Sequence, residues 1–216
     1  MIEIIPTIIP KDVEKIEEKV KLVEPYVEWV QLDIMDGEFV NNTTWPYTAG
    51  KNNPSDLKNL KTNLNLEAHL MINNPEQVID QWINSGVKRI IFHYESTNKH
   101  KEIIEKIKEA GLETGLAINP ETSIEVIDKF IENLDLILIM TVNPGFGGQD
   151  FLNESVDKIK QLREKYKDVN IEVDGGINLE TAQLVIKAGA NILISGSAIF
   201  KSNNIEQTIK ELKSCQ

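Results

Sequence analysis

Short runs of branched apolar residues alternate with longer amphipathic stretches along the whole chain. One unit recurs: a helical pattern, a glycine, then an apolar run. "VIDQWINSG-VKRIIFH", "IIEKIKEAG-LETGLAI" and "TAQLVIKAG-ANILISG" are three copies. Gly86, Gly111 and Gly189 fall where a helix closes in a left-handed cap. The near-continuous apolar runs suit parallel strands covered on both faces. Eight strands are predicted, at Ile2–Pro6, Glu28–Ile34, Leu64–Leu70, Arg89–His93, Glu113–Ile118, Asp135–Thr141, Asn170–Val173 and Ile192–Ser195. Helices are predicted at Lys11–Glu24, Pro75–Ser85, Lys99–Ala110, Thr122–Phe130, Leu152–Tyr166, Glu180–Ala188 and Ile205–Lys213, with the weakest periodicity at Ser55–Lys61. Eight strand–helix alternations in this length fit an α/β chain folded as one closed (β/α)8 TIM barrel over residues 1–216. An open dinucleotide-binding sheet would carry a glycine-rich turn after its first strand, where this chain reads "PTIIPKD".

The second predicted strand, "EWVQLDI", breaks its own apolar pattern with Gln31 and Asp33. Alternation places both on one face, and a buried carboxylate is costly unless paired. Chemistry in such a barrel sits at the C-terminal strand ends. Reading those ends in order gives Thr7; Gln31, Asp33 and Asp36; His69; His93 and Glu95; Asn119; Met140 with "TVNPGFGGQ"; "EVDGGIN"; and "ISGSAIF". Asp33 and Asp174 are distant in sequence, yet a barrel can set them on two sides of one pocket, an arrangement suited to removing a proton from one face of a carbon and returning it to the other. Asp33 also reads as a helix cap or turn former, and Asp36-Gly37 as a plain turn. His69 is either a core residue or, with the two aspartates, a metal ligand for Zn²⁺, Fe²⁺ or Mn²⁺. His93 is expected to make supporting hydrogen bonds, and His100 to lie at the surface. Met35, Met71 and Met140 follow strand ends and either fill core or line the pocket. Gly145-Phe146-Gly147-Gly148, Gly175-Gly176 and Gly196-Ser197 form glycine turns at consecutive strand ends, which together favour a phosphate site.

Composition narrows the partners. The formal net charge of −11 argues against nucleic acid but leaves room for a phosphorylated small molecule held by backbone dipoles. The single cysteine, Cys215, cannot form an internal disulfide, so a reducing compartment is expected. The start lacks a secretory pattern, and the longest apolar run, "LILIMTV", is far too short to span a membrane. A cytoplasmic location is the expectation.

The sequence resembles the ribulose-phosphate 3-epimerase family over nearly its whole length. The resemblance is carried by "PTIIPKD", "QLDIMDGEFVNN", "EAHLMINNP", "IIFHYES", "GLAINPET", "ILIMTVNPGFGGQDF", "EVDGGIN" and "ISGSAIF", in that order. It implies a (β/α)8 barrel that interconverts D-ribulose 5-phosphate and D-xylulose 5-phosphate in the pentose phosphate pathway. It implies that Asp33 and Asp174 are the acid/base pair, and that Asp33, His69 and Asp174 bind a divalent metal. It implies that the glycine turns hold the phosphate, that the three methionines border an enediolate, and that the protein is a homo-oligomer. Two residues depart from the family. Thr7 replaces a serine and keeps the hydroxyl. Gln31 stands at the first metal-ligand position, where the family has histidine. A neutral amide oxygen is a harder donor than imidazole, which should weaken zinc and favour Mn²⁺ or Mg²⁺. The alternatives are a ketohexose-phosphate 3-epimerase acting on D-allulose 6-phosphate, its pocket reshaped by "NNTTWPYT", and a non-catalytic phosphosugar-binding relative. A decarboxylase of this barrel type would carry Asp-x-Lys-x-x-Asp where "EAHLMINN" stands, and a Schiff-base aldolase needs a strand-end lysine that the chain lacks.

Overall fold

A computed structural model of the chain describes residues 2–48, 50 and 52–215. Eight parallel strands close into a barrel in sequence order, with the last strand paired to the first. They are β1 (Glu3–Ile8), β2 (Trp29–Met35), β3 (Asn65–Met71), β4 (Arg89–His93), β5 (Glu113–Ile118), β6 (Leu136–Met140), β7 (Asn170–Asp174) and β8 (Ile192–Ser195). The α-helices are α1 (Val13–Val23), α2 (Ile79–Ile83), α3 (His100–Glu109), α4 (Glu154–Lys165), α5 (Leu179–Ala188), α6 (Ser197–Phe200) and α7 (Ile205–Ser214). Each predicted strand is present, its ends shifted by two residues at most. Among the described residues, no helix is long and apolar enough to cross a membrane.

Both faces of the strands are buried, but against different surroundings. Val30, Leu32 and Ile34 of β2 join helix residues such as Ile16 and Val20 in the outer core. The alternate positions point into the barrel, where Ile5, Ile91, Leu138 and Ile194 cluster. That inner face is where the polar residues fall. Low in the barrel, Arg89 Nη1 lies 2.6 Å from Glu67 Oε2 and 3.8 Å from Glu172 Oε2, and its guanidinium covers the Trp29 ring at 4.0 Å. Neither carboxyl oxygen of Glu172 has a hydrogen-bond partner among the described residues. Burial, reinforced by the nearby Glu67, pushes the Glu172 pKa well up, and burial lifts Glu67 to about 7 against the pull of Arg89. Arg89 also reaches Glu113 at 2.7 Å, so one guanidinium serves the carboxyl groups of this layer and charge on the buried Glu172 is disfavoured. Glu67 and Glu172 stand two residues before His69 and Asp174 on the same strands, so the charged layer forms the floor of the site above.

Some expected elements take another form. Pro75–Ser85 is not one helix: a 3-10 turn at Pro75–Gln77 gives way to α2, with Val78 at φ −122° breaking the run. Thr122–Phe130 is a 3-10 helix over Ile124–Lys129, where three β-branched residues and a Ser123 hydroxyl that bonds the Glu125 carboxylate instead of capping the backbone leave no α-helical nucleus. The Ser55–Lys61 pattern is a 3-10 helix at Pro54–Asn59. His100 is buried rather than superficial: it opens α3, stacks on Tyr94 at 4.6 Å, and places Nε2 2.8 Å from the Tyr94 carbonyl. In "NNTTWPYT", Trp45 is fully buried and meets Trp82 edge-on at 6.2 Å. Thr44 bonds the backbone of Asp33 and Met35. This segment fastens the end of β2.

The α5 cap ties the fold to the β7 loop. The Asn178 side chain accepts from the N–H groups of Glu180 and Thr181, while the Thr181 hydroxyl donates to the Gly176 carbonyl at 2.9 Å. Asn178→Ala is expected to cost about 1 kcal/mol, a fall of roughly 2–4 °C in Tm for a chain of this size. Thermal unfolding followed by circular dichroism checks it.

Candidate active site

The open end of the barrel holds a cavity of about 480 Å³. Asp33, from the end of β2, and Asp174, from the end of β7, both line it. They are almost fully buried, yet neither is left unpaired. Gln31 Nε2 donates to Asp33 Oδ1 at 2.8 Å and to Asp174 Oδ2 at 2.9 Å. Thr7 Oγ1 donates to Asp33 Oδ2 at 2.9 Å. His69 Nδ1 lies 3.2 Å from Asp33 Oδ1 and 3.4 Å from Asp174 Oδ2. Four strands thus bring one amide, one hydroxyl and one imidazole around two carboxylates.

A second row of residues stands behind the first. His69 Nε2 is 2.9 Å from His93 Nε2, and His93 Nδ1 is 3.4 Å from Glu95 Oε2. Glu95 also accepts from the Asn119 N–H and the Thr122 hydroxyl. Burial opposes charge on His69, but its bonds to Asp174 and Asp33 prevail and hold its pKa up at about 9. Burial drives His93 down to about 4, so it stays neutral beside the charged ring. Burial would raise Glu95, but its hydrogen bonds, led by that from His93, bring it down to about 2. Burial and the Asp33 carboxylate raise the Asp174 pKa. Without a metal, protonated His69 thus turns one N–H toward the aspartates and the other toward His93, whose own N–H faces Glu95; a metal held at Nδ1 would displace the proton there. The expected supporting role of His93 is met by this chain.

The ligand atoms of Asp33, His69 and Asp174 lie within 4.8 Å of one another, a set that can hold a divalent ion. Gln31 adds a buried amide oxygen with no partner among the described residues, while its nitrogen faces the carboxylates. The donor set therefore fits a metal, with the amide oxygen available as a further hard ligand after the amide turns.

The remaining predicted residues surround the same cavity. Met35, Met71 and Met140 are buried and line it. So do the glycine turns after β6, β7 and β8, with Phe146 the exposed tip of the first. Asn42 donates to the Gly145 carbonyl at 2.8 Å, and Gln149 braces the turn by donating to the carbonyls of Asn143 and Phe146. Gly175 has φ +126°, and a Cβ there would lie 2.5 Å from Val142 Cγ2 and 2.8 Å from its backbone nitrogen. Only glycine brings the β7 loop this close to the β6 loop. Asp36 makes a turn, as expected, accepting from the N–H groups of Glu38, Phe39 and Asn73. None of the described residues of "NNTTWPYT" lines the cavity. Two lysines that sequence reading passed over do: Lys19 from α1 and Lys201 beyond α6. No sequence signal marks Lys19, which sits among the paired charges of an amphipathic helix.

Comparison with known proteins places this geometry. The profile of the "Ribulose-phosphate 3 epimerase family" matches residues 3–200. The chain is 39% identical over 214 residues to ribulose-phosphate 3-epimerase of Schizosaccharomyces pombe, covering 98% of this chain and 92% of the yeast protein. It is 38% identical over 220 residues to the Bacillus subtilis protein of the same name, covering 99% of each. Among solved structures, a 3-hexulose-6-phosphate synthase superposes with a TM-score of 0.71 at 16% identity, over 100% of this chain and 99% of that one. That last likeness concerns the barrel alone.

Proposed function

The chain belongs to the ribulose-phosphate 3-epimerase family, and on that premise we propose that Asp33 and Asp174 interconvert D-ribulose 5-phosphate and D-xylulose 5-phosphate at C3. The chain is an isomerase, and the relatives that show this match it nearly end to end. The observation that carries the residue roles is the convergence of two buried carboxylates, one from β2 and one from β7, on a single cavity.

In the proposed reaction one aspartate takes the C3 proton. The electron pair moves toward the C2 carbonyl, giving a cis-enediolate. The other aspartate then delivers its proton to the opposite face of C3, and the roles exchange in the reverse direction. The Gln31 amide and the Thr7 hydroxyl keep the carboxylates oriented between substrate encounters. Met35, Met71 and Met140 border the reacting carbons with polarizable, aprotic surface that offers no competing proton. Gly147, Gly148, Gly176, Gly196 and Ser197 let backbone close on the phosphate at the far end. A divalent ion held by Asp33, His69 and Asp174, with the Gln31 oxygen, would supply Lewis-acid stabilisation worth several kcal/mol.

Turnover of D-ribulose 5-phosphate in deuterium oxide tests the proposal. Xylulose 5-phosphate carrying deuterium at C3 is expected by NMR. Binding of the sugar phosphate without exchange at C3 would make the protein a binder and not an epimerase.

A further inference from the structure

We propose that the Lys19 ammonium contacts the substrate phosphate and sets the preference for phosphorylated over free ketoses, an inference that rests on the cavity binding a ketose phosphate. Lys19 sits on α1, outside the loops that carry the rest of the site. Its neighbours on that helix are spoken for: Lys15 pairs with Glu18 at 2.6 Å and Lys21 with Glu17 at 2.5 Å. Among the described residues, no carboxylate lies within salt-bridge distance of Lys19. Its Nζ instead lies 4.8 Å over the ring of Phe200, which closes the turn begun by Gly196 and Ser197. Lys19, Gly196, Ser197 and Phe200 line the same cavity as the two aspartates.

The electrostatics give this position a use. A chain of net charge −11 must attract a phosphate of roughly two negative charges into a cavity that already holds two carboxyl groups. The cations lining that cavity, among the described residues, are Lys19 and Lys201. Lys201 is exposed, whereas Lys19 is half-buried. Burial pulls the Lys19 pKa below the ordinary lysine value, with Asp33 pulling the other way. The ammonium of a half-buried lysine set over an aromatic ring is poorly hydrated and held in place. An arriving phosphate gives it the counterion that the protein does not.

Lys19→Met keeps an unbranched apolar side chain and removes the charge, and Lys19→Arg keeps the charge. The expected result for Lys19→Met is a KM for D-ribulose 5-phosphate raised about tenfold, the scale of one charged hydrogen bond, with kcat nearly unchanged. Its dissociation constant for ribose 5-phosphate, a non-reacting probe, should rise in parallel. Lys19→Arg should recover most of the loss, and slow turnover of unphosphorylated D-ribulose should be the same in all three proteins. A folded Lys19→Met protein with wild-type KM and ribose 5-phosphate affinity overturns the inference. So does a fall in kcat at constant KM, which would place Lys19 in the chemistry beside Asp33. Absence of turnover in the wild-type protein would instead strike the proposed function itself.

Discussion

Asp174→Asn is expected to lower kcat for D-ribulose 5-phosphate by about 10²- to 10⁴-fold, the span that one positioned general acid or base contributes. The amide is isosteric and can still accept from Gln31, so the loss should fall on kcat more than on KM. The same change should not weaken the fold. Burial and the neighbouring Asp33 raise the Asp174 pKa, so its ionised form is destabilised in the native protein. For a carboxyl whose native pKa is raised, that penalty is present in full above the native value. It vanishes as pH falls below the ordinary value of 3.8. At neutral pH the variant should therefore melt no lower than the wild type, and at acid pH the two should converge. Loss of turnover with retained or improved Tm is the mark of a group kept for chemistry at the expense of stability. Steady-state kinetics beside thermal scans at pH 7 and pH 3.5 read both halves. A variant that keeps more than about a tenth of wild-type kcat would remove Asp174 from the proton-transfer pair.

Much of this site was readable in the strand pattern, because each inward position is constrained twice. Gln31 and Asp33 interrupt an otherwise apolar strand, and alternation alone puts them on a common face. The eight-strand count then fixes that face as the barrel interior at its C-terminal end. His69 and Asp174 are read the same way, and strand register brings Asp33 level with His69 and Met140 level with Asp174. What alternation cannot report is contact between side chains whose positions follow from helix packing. Lys19 looks like any lysine of a charged amphipathic helix; only the docking of α1 beside Phe200 turns it toward the cavity. His100 reads as polar at a helix start, and its burial depends on Tyr94 folding over it. The segments that became 3-10 turns carried a helical spacing too short to impose α geometry, and Ile124–Lys129 is β-branched at three of its positions as well.

Gln31→His is expected to tighten zinc binding by on the order of 10- to 100-fold, the range that even the outer partners of metal ligands command. In the wild-type protein the amide nitrogen is engaged three times: with Asp33 Oδ1, with Asp174 Oδ2 and, at 3.3 Å, with Thr7 Oγ1. To offer its oxygen to a cation the amide must turn over and release those bonds. Its oxygen then competes as a neutral, hard donor. A neutral imidazole has an unprotonated nitrogen to present and suits zinc better. The wild-type site should therefore favour Mn²⁺ or Mg²⁺ over what a histidine site would choose, and should exchange its ion readily. Competition against a chromophoric chelator gives the affinities of both proteins, independently of activity. Turnover after chelation and re-addition of Mn²⁺, Zn²⁺ or Fe²⁺ then shows which ion the amide tolerates, and Gln31→His should shift that preference toward zinc. Equal zinc affinities in the two proteins would mean that Gln31 lies outside the coordination sphere. Its bridge between the aspartates would then be its whole contribution, and Gln31→Leu should depress kcat while leaving metal content unchanged.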